Sequence, residues 1–574
     1  MNNIAVAAKN IGSKPAKTES SSRISGYERS WDALDGSNER TVDTHHENGS
    51  QFHFVTIRPS KESMTVDFPD YGSILQVTEN EIFGSILKTV SNGIDLTIWL
   101  PWIAHEILFD DHQRISYSPS PSCSFRWEFT PSFRLKVDNL CTDRSLTTPY
   151  VAFKDPDGNI FREFNTCCEV ERRLFRKSEW FHAVSPSDIW NYLIAGSIYD
   201  PRADKTIKKR FKCQQCAFSW WNYFELLKRE TGKKIYTILQ DEIAFSVLKD
   251  LSPEGRWGHG FWSDAIETHA RFHLDGIHLL ISQYEKTADS VWLQAAERAM
   301  NFILNNLVDS FSEDQIWFLH DTIELEQNHR FKTTLFGKSP GNSLCINTHV
   351  QALTVLNRLR SKLQEKKQFT SAYNKGCNAL RRVLEYRPAE LPYKVFSFWI
   401  TKSKTLKNSK SIAEKIMRKV VNRLLGTIYW PFQQRFPRLV HPSGFIERDL
   451  SLSRVSDRYM ITNIKDLLTL YQQDPLTWLG PYVRNGTAYL REFISASGLS
   501  GLLKQSPYFI EFIDILFLYD KLVGPVPAEE MKRAADTILE VTGGYSIDLC
   551  ASPLVRQDFK GIDIPGSGLQ ARAQ

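Results

Sequence analysis

The sequence predicts an α+β protein of more than one domain, in which an N-terminal antiparallel β-sandwich-like domain precedes an (α/α)6-type helical toroid. Short runs rich in β-branched and aromatic residues fill the chain from about residue 52 to 164. Helical periodicity dominates from about residue 185 onward. The predicted helices come in pairs joined by short loops, as in folds built from helical hairpins.

The composition is typical of a large globular protein. The chain has 574 residues, of which 42% are hydrophobic and 12% aromatic, and this length allows two or more domains. A net charge of +5 gives no support for nucleic-acid binding. Residues 1–30 show no signal-peptide pattern and no apolar run has the length of a membrane span, so we expect a cytoplasmic protein.

The first domain boundaries follow from composition and turn signals. Residues 1–48 are polar with few apolar residues, which predicts a disordered tail, and residues 49–166 are predicted to form the β-sandwich-like domain. The turn DPDGN at 155–159 combines a proline that fixes φ with a glycine that accepts a positive φ. We expect the following run, NIFREF at 159–164, to be a strand.

The toroid is predicted to span residues 167–545, followed by a C-terminal tail at 546–574. Some of its predicted helices carry more polar and aromatic residues than their neighbours, and these alternate with plainer amphipathic helices. That alternation predicts an inner and an outer ring. The inner helices are predicted at 211–231, 262–285, 343–363, 460–473 and 507–523, and a further helix is predicted at 186–198.

Residues 401–436 depart from this pattern and are predicted to form a basic amphipathic insertion. Ile412, Ile416, Val420 and Leu424 form an apolar stripe among lysines and arginines. Three interpretations stay open for this segment: a solvated helix packed on the toroid, a peripheral contact with the inner face of an anionic membrane, and a basic rim beside an acidic polysaccharide.

Histidines are concentrated in one part of the toroid, because seven of the 14 in the chain lie between residues 259 and 349. Aromatic and acidic residues are interleaved with them, which predicts a working site that contacts a polar ligand. HARFH at 269–273 lacks the glutamate of the zincin motif, since Ala270 holds that position, and we predict neither a metal nor a cofactor. The predicted substrate-binding residues here are His259, Trp262, His269, Arg271 and His273.

Three further clusters complete the predicted site. WFLHDTIELE at 317–326 places a histidine and acids between helices, where they could act as acid and base. GNSLCINTHVQAL at 341–353 opens an inner helix with polar residues that could hold an anion. The stretch 441–463 mixes acids with arginines, which grip carboxylates. The predicted catalytic residues are His320, Glu324, Glu447 and Tyr459, and the other predicted binding residues are Asn347, His349, Arg448, Arg454 and Arg458.

The nine cysteines do not form a dense disulfide framework. Cys213 and Cys216 form a CxxC pair, and Cys167 and Cys168 lie upstream. Four thiols could make a zinc site, but the adjacent Cys167–Cys168 pair is unusual for zinc and buried thiols without a metal are the favoured interpretation, so whether these cysteines bind zinc stays open.

The chain resembles D-glucuronyl C5-epimerases of the six-hairpin glycosidase group in its domain order and in several stretches. PSGFIERDLS at 442–451 is similar to the family's S-G-x-I-Y-D-L stretch, and DRYMITNIKDLL at 457–468 is similar to its D-Y-H-x-x-H-I-N-x-L stretch. The resemblance implies that Glu324 or Glu326 is the loop acid and that Tyr459 is the terminal tyrosine. Glu447 stands where the family has the tyrosine of the first stretch.

We therefore predict an enzyme that acts on an acidic, uronic-acid-containing polysaccharide in its biosynthesis and removes the proton at C5. Arginines would neutralise the sugar carboxylate while a base takes the proton. Return of the proton gives an epimerase, and loss of the 4-linked oxygen gives a lyase. Two alternatives stay open: an inverting glycoside hydrolase with Glu324 and either Glu447 or Asp449 as its carboxylates, and a non-catalytic, membrane-associated glycan-binding or assembly protein.

Overall fold

The computed structural model describes most of the chain as two compact units. The described residues are 17–20, 26–33, 39–47, 49–58, 63–67, 71–101, 103–110, 113–117, 124–128, 133–139, 143–168, 171–172, 176–177, 181–201, 209–262, 266–325, 336, 341–387, 390–406, 411–451 and 456–542. Unit 1 comprises Met1–Phe175, Ala183–Asp250 and His259–Ile266, and unit 2 comprises Arg176–His182, Leu251–Gly258 and Glu267–Gln574.

The β-strands lie mainly in the first part of the chain. They are β1 (Lys17–Ser20), β2 (Tyr27–Ala33), β3 (Glu39–Glu47), β4 (Ser50–Arg58), β5 (Met64–Asp67), β6 (Ser73–Asn80), β7 (Gly84–Ser91), β8 (Ile94–Leu100), β9 (His105–Phe109), β10 (Ile115–Tyr117), β11 (Ser124–Glu128), β12 (Arg134–Asp138), β13 (Ser145–Lys154), β14 (Arg176–Lys177), β15 (His182–Ala183), β16 (Leu193–Ile194), β17 (Ser197–Ile198), β18 (Lys209–Arg210), β19 (Val308–Ser312) and β20 (Gln315–Phe318).

Two antiparallel sheets of unit 1 share one core. The larger has the order β1-β2-β3-β4-β13-β8-β7-β6, with β9, β10 and β18 continuing from β13, and the smaller has the order β11-β12-β5. Val55 of β4 and Tyr150 of β13 pack in the same cluster as Val66 of β5 and Leu135 of β12. Strand β13 is buried at eight successive residues, because both of its faces are covered.

The helices occupy both units. They are α1 (Asn159–Asn165), α2 (Gln214–Thr231), α3 (Lys234–Lys249), α4 (Ala270–Thr287), α5 (Ser290–Asn306), α6 (Ile346–Lys362), α7 (Lys367–Glu385), α8 (Glu390–Thr405), α9 (Ile412–Leu424), α10 (Trp430–Arg435), α11 (Asp457–Gln473), α12 (Gly480–Ser497), α13 (Leu499–Gln505), α14 (Phe512–Leu522) and α15 (Ala528–Thr542). Short 3-10 turns cover Pro186–Asn191, Thr322–Leu325 and Pro507–Glu511, and a π-helical segment covers Leu425–Tyr429.

The helices of unit 2 form a row of hairpins. Helices α4, α6, α11 and α14 contact one another in chain order. Each is also packed against the helix that follows it, which gives the pairs α4–α5, α6–α7, α11–α12 and α14–α15. These four are inner helices of the predicted alternation, and the mixed α+β class of the chain is confirmed.

Two predictions of local secondary structure differ from the structure. Residues 159–164 are helical instead of extended, because the carboxylate of Asp155 accepts hydrogen bonds from the N–H groups of Ile160 and Phe161 at 3.0 and 2.9 Å and caps the helix start. Residues 186–198 are not one helix. The strands β16 and β17 pair across Ala195 and Gly196, both with positive φ, which makes a tight hairpin.

The predicted disordered tail, residues 1–48, contains strands β2 and β3. His45 on β3 is fully buried, and its Nδ1 lies 2.7 Å from a carboxylate oxygen of Glu242 on α3. The carboxylate of Asp43 accepts hydrogen bonds from Tyr27 and Arg29 on β2. Buried polar pairs anchor these strands, and a polar composition alone does not reveal them.

Candidate active site

The candidate site of unit 2 lies at the N-terminal ends of α4, α6 and α11. The loop 319–325 docks there, because the N–H of Ala270 donates to the carbonyl of His320 at 2.8 Å. The loop 446–450 docks beside it, because the N–H of Ile346 donates to the carbonyl of Arg448 at 2.9 Å. The helix dipole makes such ends favourable for an anion.

Three predicted residues meet at the centre of this site. Nη2 of Arg448 lies 2.9 Å from Nε2 of His320. The guanidinium carbon of Arg448 stands 4.4 Å from the centre of the Tyr459 ring, so the cation rests on the aromatic face. His320, Arg448 and Tyr459 are all partly exposed. The predicted clusters at 317–326 and 441–463 therefore converge.

The hydrogen bonds of His320 define its protonation. Arg448 can only donate, so Nε2 of His320 is the acceptor and the ring proton lies on Nδ1. Nδ1 then donates to Oγ1 of Thr348 at 2.9 Å. Burial lowers the pKa of His320 well below its usual value, and the positive charges of Arg448 and Arg271 lower it further. His320 is thus a neutral imidazole whose lone pair points at a guanidinium.

A chain of donors continues from His320 into the first turn of α6. The hydroxyl of Thr348 donates to Sγ of Cys345 at 3.4 Å, and that thiol donates to Oδ1 of Asn347 at 2.8 Å. Oδ1 of Asn347 also accepts from the N–H of Thr348 at 2.9 Å. Burial raises the pKa of the Cys345 thiol, which keeps it protonated as a donor. Asn347 therefore positions the residues beneath His320.

Glu324 lies under His320. One carboxylate oxygen accepts from the N–H of His320 at 2.7 Å, and the other accepts from the N–H of Ser343 at 3.0 Å and from the Ser343 hydroxyl. Burial raises the pKa of Glu324 to about 8. With its oxygens engaged in this way, Glu324 fixes the backbone that carries His320.

Glu447 lies under Arg448. Its side chain is fully buried, its Oε1 accepts from the N–H of Arg448 at 3.1 Å, and Nη2 of Arg438 lies 3.8 Å from its Oε2. Burial raises the pKa of Glu447 to about 7. The position that holds a tyrosine in the resembling family is therefore occupied by an inward-facing carboxyl group.

Two residues of the first cluster border the site. The His269 ring centre is 4.4 Å from that of His320, and burial together with the neighbouring His320 and Arg448 lowers the pKa of His269 well below its usual value. Nη1 of Arg271 pairs with Oδ2 of Asp466 at 2.6 Å. The carboxylate of Asp449 lies 3.2 Å from Nε of Arg448.

Other predicted residues lie elsewhere. His273 and His349 are fully buried, and their Nε2 atoms bond to the carbonyls of Ala299 at 3.1 Å and Gly376 at 3.0 Å. Their rings pack on Trp257 and Trp317, so their surroundings give them a packing role. The positions of the remaining predicted residues are as follows: His259 is buried in unit 1, Trp262 is half exposed in unit 1, Arg458 is exposed on the first turn of α11, and Arg454 and Glu326 lie outside the described residues.

Sequence reasoning missed Thr348 and Cys345. They flank the predicted Asn347 and share one side of the first turn of α6, whereas His349 points toward Gly376. The start of α6 at Ile346 gives this phase, since residues three apart share a helix face. A helix start placed at Ile346 from the sequence would have predicted Thr348 at the site in place of His349.

One group in unit 1 has the chemistry of a metal site. The ligand atoms of Asp200, Cys213 and Cys216 all lie within 4.8 Å of one another, and the three residues are buried. Cys167 and Cys168, the other half of the predicted zinc alternative, are half-buried and outside this group.

A cleft of about 580 Å³ lies at the other end of α6, lined by Asn357, Arg358, Arg360, Ser361, Thr370 and Gln473. Arg358 pairs with Glu285 and Arg360 with Asp474, both at 2.8 Å, so its cations are already neutralised. The neutral imidazole of His278 lies 3.0 Å from Nη1 of Arg358, but His278 is buried and does not line the cleft, whereas His320 is partly exposed. We therefore favour the N-terminal end of α6 as the candidate site.

No protein-family model matches the sequence, and no curated protein matches it. Among solved structures, a polysaccharide lyase covers 89% of this chain and 80% of its own, with 9% identity and a TM-score of 0.25. An unsaturated glucuronyl hydrolase specific for heparin covers 63% of this chain and 94% of its own, with 10% identity and a TM-score of 0.31. A family 76 glycoside hydrolase from a bovine Bacteroides thetaiotaomicron strain covers 84% of this chain and 90% of its own, with 8% identity and a TM-score of 0.31. These neighbours are carbohydrate-active enzymes by name, and similarity at this level assigns no activity to the chain.

Proposed function

We propose that this protein acts on a uronic-acid-containing polysaccharide and removes the proton at C5, as an epimerase or a lyase. One observation carries the proposal: a neutral imidazole, that of His320, lies 2.9 Å from the guanidinium of Arg448 at a partly exposed place. C5 of a uronate bears both the proton to be removed and the carboxylate whose charge opposes its removal. A base and a carboxylate-binding cation side by side are what this reaction needs.

The geometry supports a sequence of steps. The sugar carboxylate binds Arg448 and takes over the N–H that Nε2 of His320 accepts in the free protein. The lone pair of Nε2 is then available, and it forms a bond to the C5 proton while the C5–H electrons pass into the carboxylate. Thr348 holds the Nδ1 proton and so keeps the basic nitrogen on the open side.

Tyr459 is the proposed acid, because its ring also lies against the Arg448 guanidinium, 4.4 Å from the central carbon. In an epimerase its hydroxyl returns a proton to C5 from the opposite face. In a lyase it protonates the 4-linked oxygen as the C4–O bond breaks, and a C4–C5 double bond remains.

The hydrolase alternative receives less support from the site. An inverting hydrolase needs two carboxyl groups open to substrate and water. Glu324 and Glu447 are both buried and bonded to backbone N–H groups. They position His320 and Arg448 and do not face an open space.

Incubation with heparosan-like and alginate-like polymers in D2O tests the proposal. Deuterium at C5 without cleavage identifies an epimerase, and ultraviolet absorbance of a new double bond identifies a lyase. We expect His320→Gln to lower either signal by about 100-fold or more, since a positioned base contributes on the order of 100- to 10,000-fold. His182→Gln, at an exposed histidine, is the matched control.

The same assay tests whether Tyr459 is the acid. We expect Tyr459→Phe to slow formation of the epimer or the cleaved product more than it slows loss of the C5 proton. New reducing ends without a double bond would replace the proposal with hydrolysis. An unchanged rate in His320→Gln would remove His320 as the base.

A further inference from the structure

Helices α8, α9 and α10 of unit 2 form a substructure with a small core of its own. Tyr393 and Ile400 of α8 pack with Tyr429, which follows α9 in the π-helical segment. Oγ of Ser403 on α8 donates to Oδ1 of Asn422 on α9 at 2.5 Å, which ties the two helices together. The inward-facing side chains of α8 and α9 therefore make their contacts within the substructure.

The outward faces of the same helices are apolar. Of the 19 large apolar side chains that are exposed among the described residues, 11 lie between residues 391 and 436. Leu391 is 72% exposed, Phe398 62% and Ile412 75%. A monomeric soluble protein rarely concentrates exposed apolar side chains in this way, and such a concentration is typical of a surface that binds a partner.

The side chains of α9 are arranged by type around the helix. Ile412, Ile416, Val420 and Leu424 are exposed and follow one another at four-residue steps, so they form a stripe along one face. Val421, about 100° further round the helix than Val420, is buried. The stripe therefore points away from the substructure's core.

Cations border this stripe. At about 100° per residue, Lys415, Lys419 and Arg423 follow its edge, and all three are exposed. The acid within α9 is Glu414, which is half-buried and lies toward the core side. The exposed face of α9 thus combines an apolar stripe with a positive border.

We infer that α8 and α9 bind the surface of an anionic lipid membrane, with the apolar stripe of α9 inserted among the acyl chains and its cations at the headgroups. An apolar face bordered by lysines and arginines is the pattern of helices that lie in the membrane interface. Trp399 on α8 is 42% exposed and supplies an aromatic side chain suited to that depth. A second copy of this chain fits less well, because it would bring the same cations together.

None of the described helices combines the length and the apolar character of a membrane-spanning helix. The inference does not depend on the proposed catalytic function. It is compatible with an enzyme that modifies a growing polysaccharide at a membrane.

Flotation of the full-length protein with vesicles tests the inference. We expect recovery with vesicles of phosphatidylglycerol and phosphatidylcholine, at least tenfold less with phosphatidylcholine alone, and a decrease with added salt because the charges are screened. Ile416→Asp with Val420→Asp, and separately Lys415→Glu with Lys419→Glu, should each lower recovery at least tenfold. The matched control is Lys532→Glu with Arg533→Glu, at exposed cations of α15.

Circular dichroism checks that each variant is folded. Absence of flotation in the wild type, or equal flotation of wild type and both variants, would overturn the inference. So would a concentration-dependent dimer in sedimentation that the Ile416 and Val420 substitutions abolish without any effect on flotation, because the surface would then bind a second copy.

A second observation, in unit 1, concerns Asp200, Cys213 and Cys216. Cys213 is the N-cap of α2 and Cys216 lies three residues later, so both thiols are on the same side of the first turn. Backbone hydrogen bonds fix the group, because the N–H of Cys213 donates to Ile198 at 2.9 Å and the N–H of Asp200 donates to Phe211 at 3.0 Å. Each of the three side chains is at most 1% exposed.

We propose that these three residues bind Zn²⁺, a question that the sequence leaves open for Cys213 and Cys216. Zinc bonds of about 2.3 Å to sulfur and about 2.1 Å to oxygen place the ligand atoms of a tetrahedral site roughly 3.5–3.8 Å apart, within the 4.8 Å spread of this group. Two thiolates, a carboxylate and Zn²⁺ carry a net charge of −1. The buried Arg210, whose Nε donates to the Asp200 carbonyl at 2.7 Å, places a positive charge beside the group.

Metal analysis of protein expressed with zinc and purified without chelators tests this proposal. We expect about one zinc per chain in the wild type, loss of it in Cys213→Ser with Cys216→Ser, and retention in the control Cys167→Ser with Cys168→Ser. If the first variant does not fold, zinc released from the wild type by a thiol-blocking reagent gives the same information. Wild-type protein without zinc, or with a mass that shows a Cys213–Cys216 disulfide, would overturn the proposal.

Discussion

At the scale of single residues, Arg448 is the group on which the candidate site depends. Its guanidinium contacts the imidazole of His320, the ring of Tyr459 and the carboxylate of Asp449. Burial and this cation together keep His320 uncharged, so the base is ready at neutral pH without a further activator. The same cation is the partner for a substrate carboxylate.

We expect Arg448→Gln to raise the pKa of His320, because a neighbouring positive charge no longer disfavours the imidazolium. The acidic limb of the kcat/KM profile should then move to higher pH. A substrate carboxylate also loses its partner, so kcat/KM at neutral pH should fall on the order of 100-fold. NMR titration of the His320 ring and a pH–rate profile measure the two effects.

Arg381→Gln, which removes an exposed arginine of α7 paired with Glu385, is the control for Arg448→Gln. An unchanged His320 titration in Arg448→Gln would show that burial alone determines the protonation state. That result would separate the role of Arg448 in substrate binding from its effect on the base.

Thr348 accepts a hydrogen bond from the ring proton that Arg448 directs to Nδ1 of His320. We expect Thr348→Val to lower kcat roughly tenfold or more with little change in KM, because Nδ1 loses its acceptor and the ring can change tautomer. Thr348→Ser keeps the hydroxyl and should restore most of the rate. Steady-state kinetics of both variants measure this, and equal loss in the two would indicate a packing effect.

At the scale of elements, the sequence predicts the helices well and their first turns poorly. The predicted inner helices 262–285, 343–363 and 460–473 correspond to α4, α6 and α11, because apolar periodicity is carried by many residues. The residues at the site depend on helix phase at the first turn. One residue of phase decides that Thr348 contacts His320 while His349 packs on Trp317.

The direction of side chains in the loops is the second feature that the sequence does not predict. Glu324 and Glu447 were predicted from their acidity, and both side chains point inward in the structure. Their direction depends on hydrogen bonds from residues distant in sequence, such as Ser343 for Glu324. A local pattern contains no record of such partners.

The loop 319–325 is packed closely against Gly341. A Cβ at Gly341 would stand 1.9 Å from the carbonyl oxygen of Glu324, so the loop must move to admit it. We expect Gly341→Ala to lower the free energy of unfolding by roughly 1–3 kcal/mol and to lower activity at least tenfold, because His320 moves with Glu324. Urea denaturation and the D2O assay measure the two effects.

Gly501 in α13 provides the matched glycine. A Cβ there meets nothing within 4 Å, so Gly501→Ala should leave activity unchanged and stabilise the helix by about 0.5–1 kcal/mol. If Gly341→Ala retains both stability and activity, the loop 319–325 does not determine the position of His320.

At the scale of the whole molecule, buried neutral histidines link stability to pH. Burial lowers the pKa of nine described histidines: His45, His53, His105, His269, His273, His278, His320, His349 and His441. In the unfolded chain each takes up a proton as pH falls through about 6.5. Acid therefore favours the unfolded state.

Buried carboxyl groups act in the opposite direction. Raised pKa values are found for Glu230, Glu242, Glu324, Glu447, Asp457 and Asp466. Each of these holds a proton in the folded protein that the unfolded chain releases at lower pH, so its contribution to stability is lost as pH rises. Because the nine histidines outnumber the six carboxyl groups, we expect stability to increase with pH between about 4.5 and 6.5.

His273 isolates the contribution of one histidine. Burial lowers its pKa to about 4, so between about pH 6 and 4.5 the unfolded state holds one proton that the folded state does not. We expect His273→Gln, whose amide can still donate to the carbonyl of Ala299, to reduce the slope of unfolding free energy against pH by about 1.4 kcal/mol per pH unit in that range. Urea denaturation at several pH values measures the slope. His182→Gln, at an exposed site, should leave it unchanged, and the same slope in His273→Gln and wild type would mean that His273 is protonated in the folded protein.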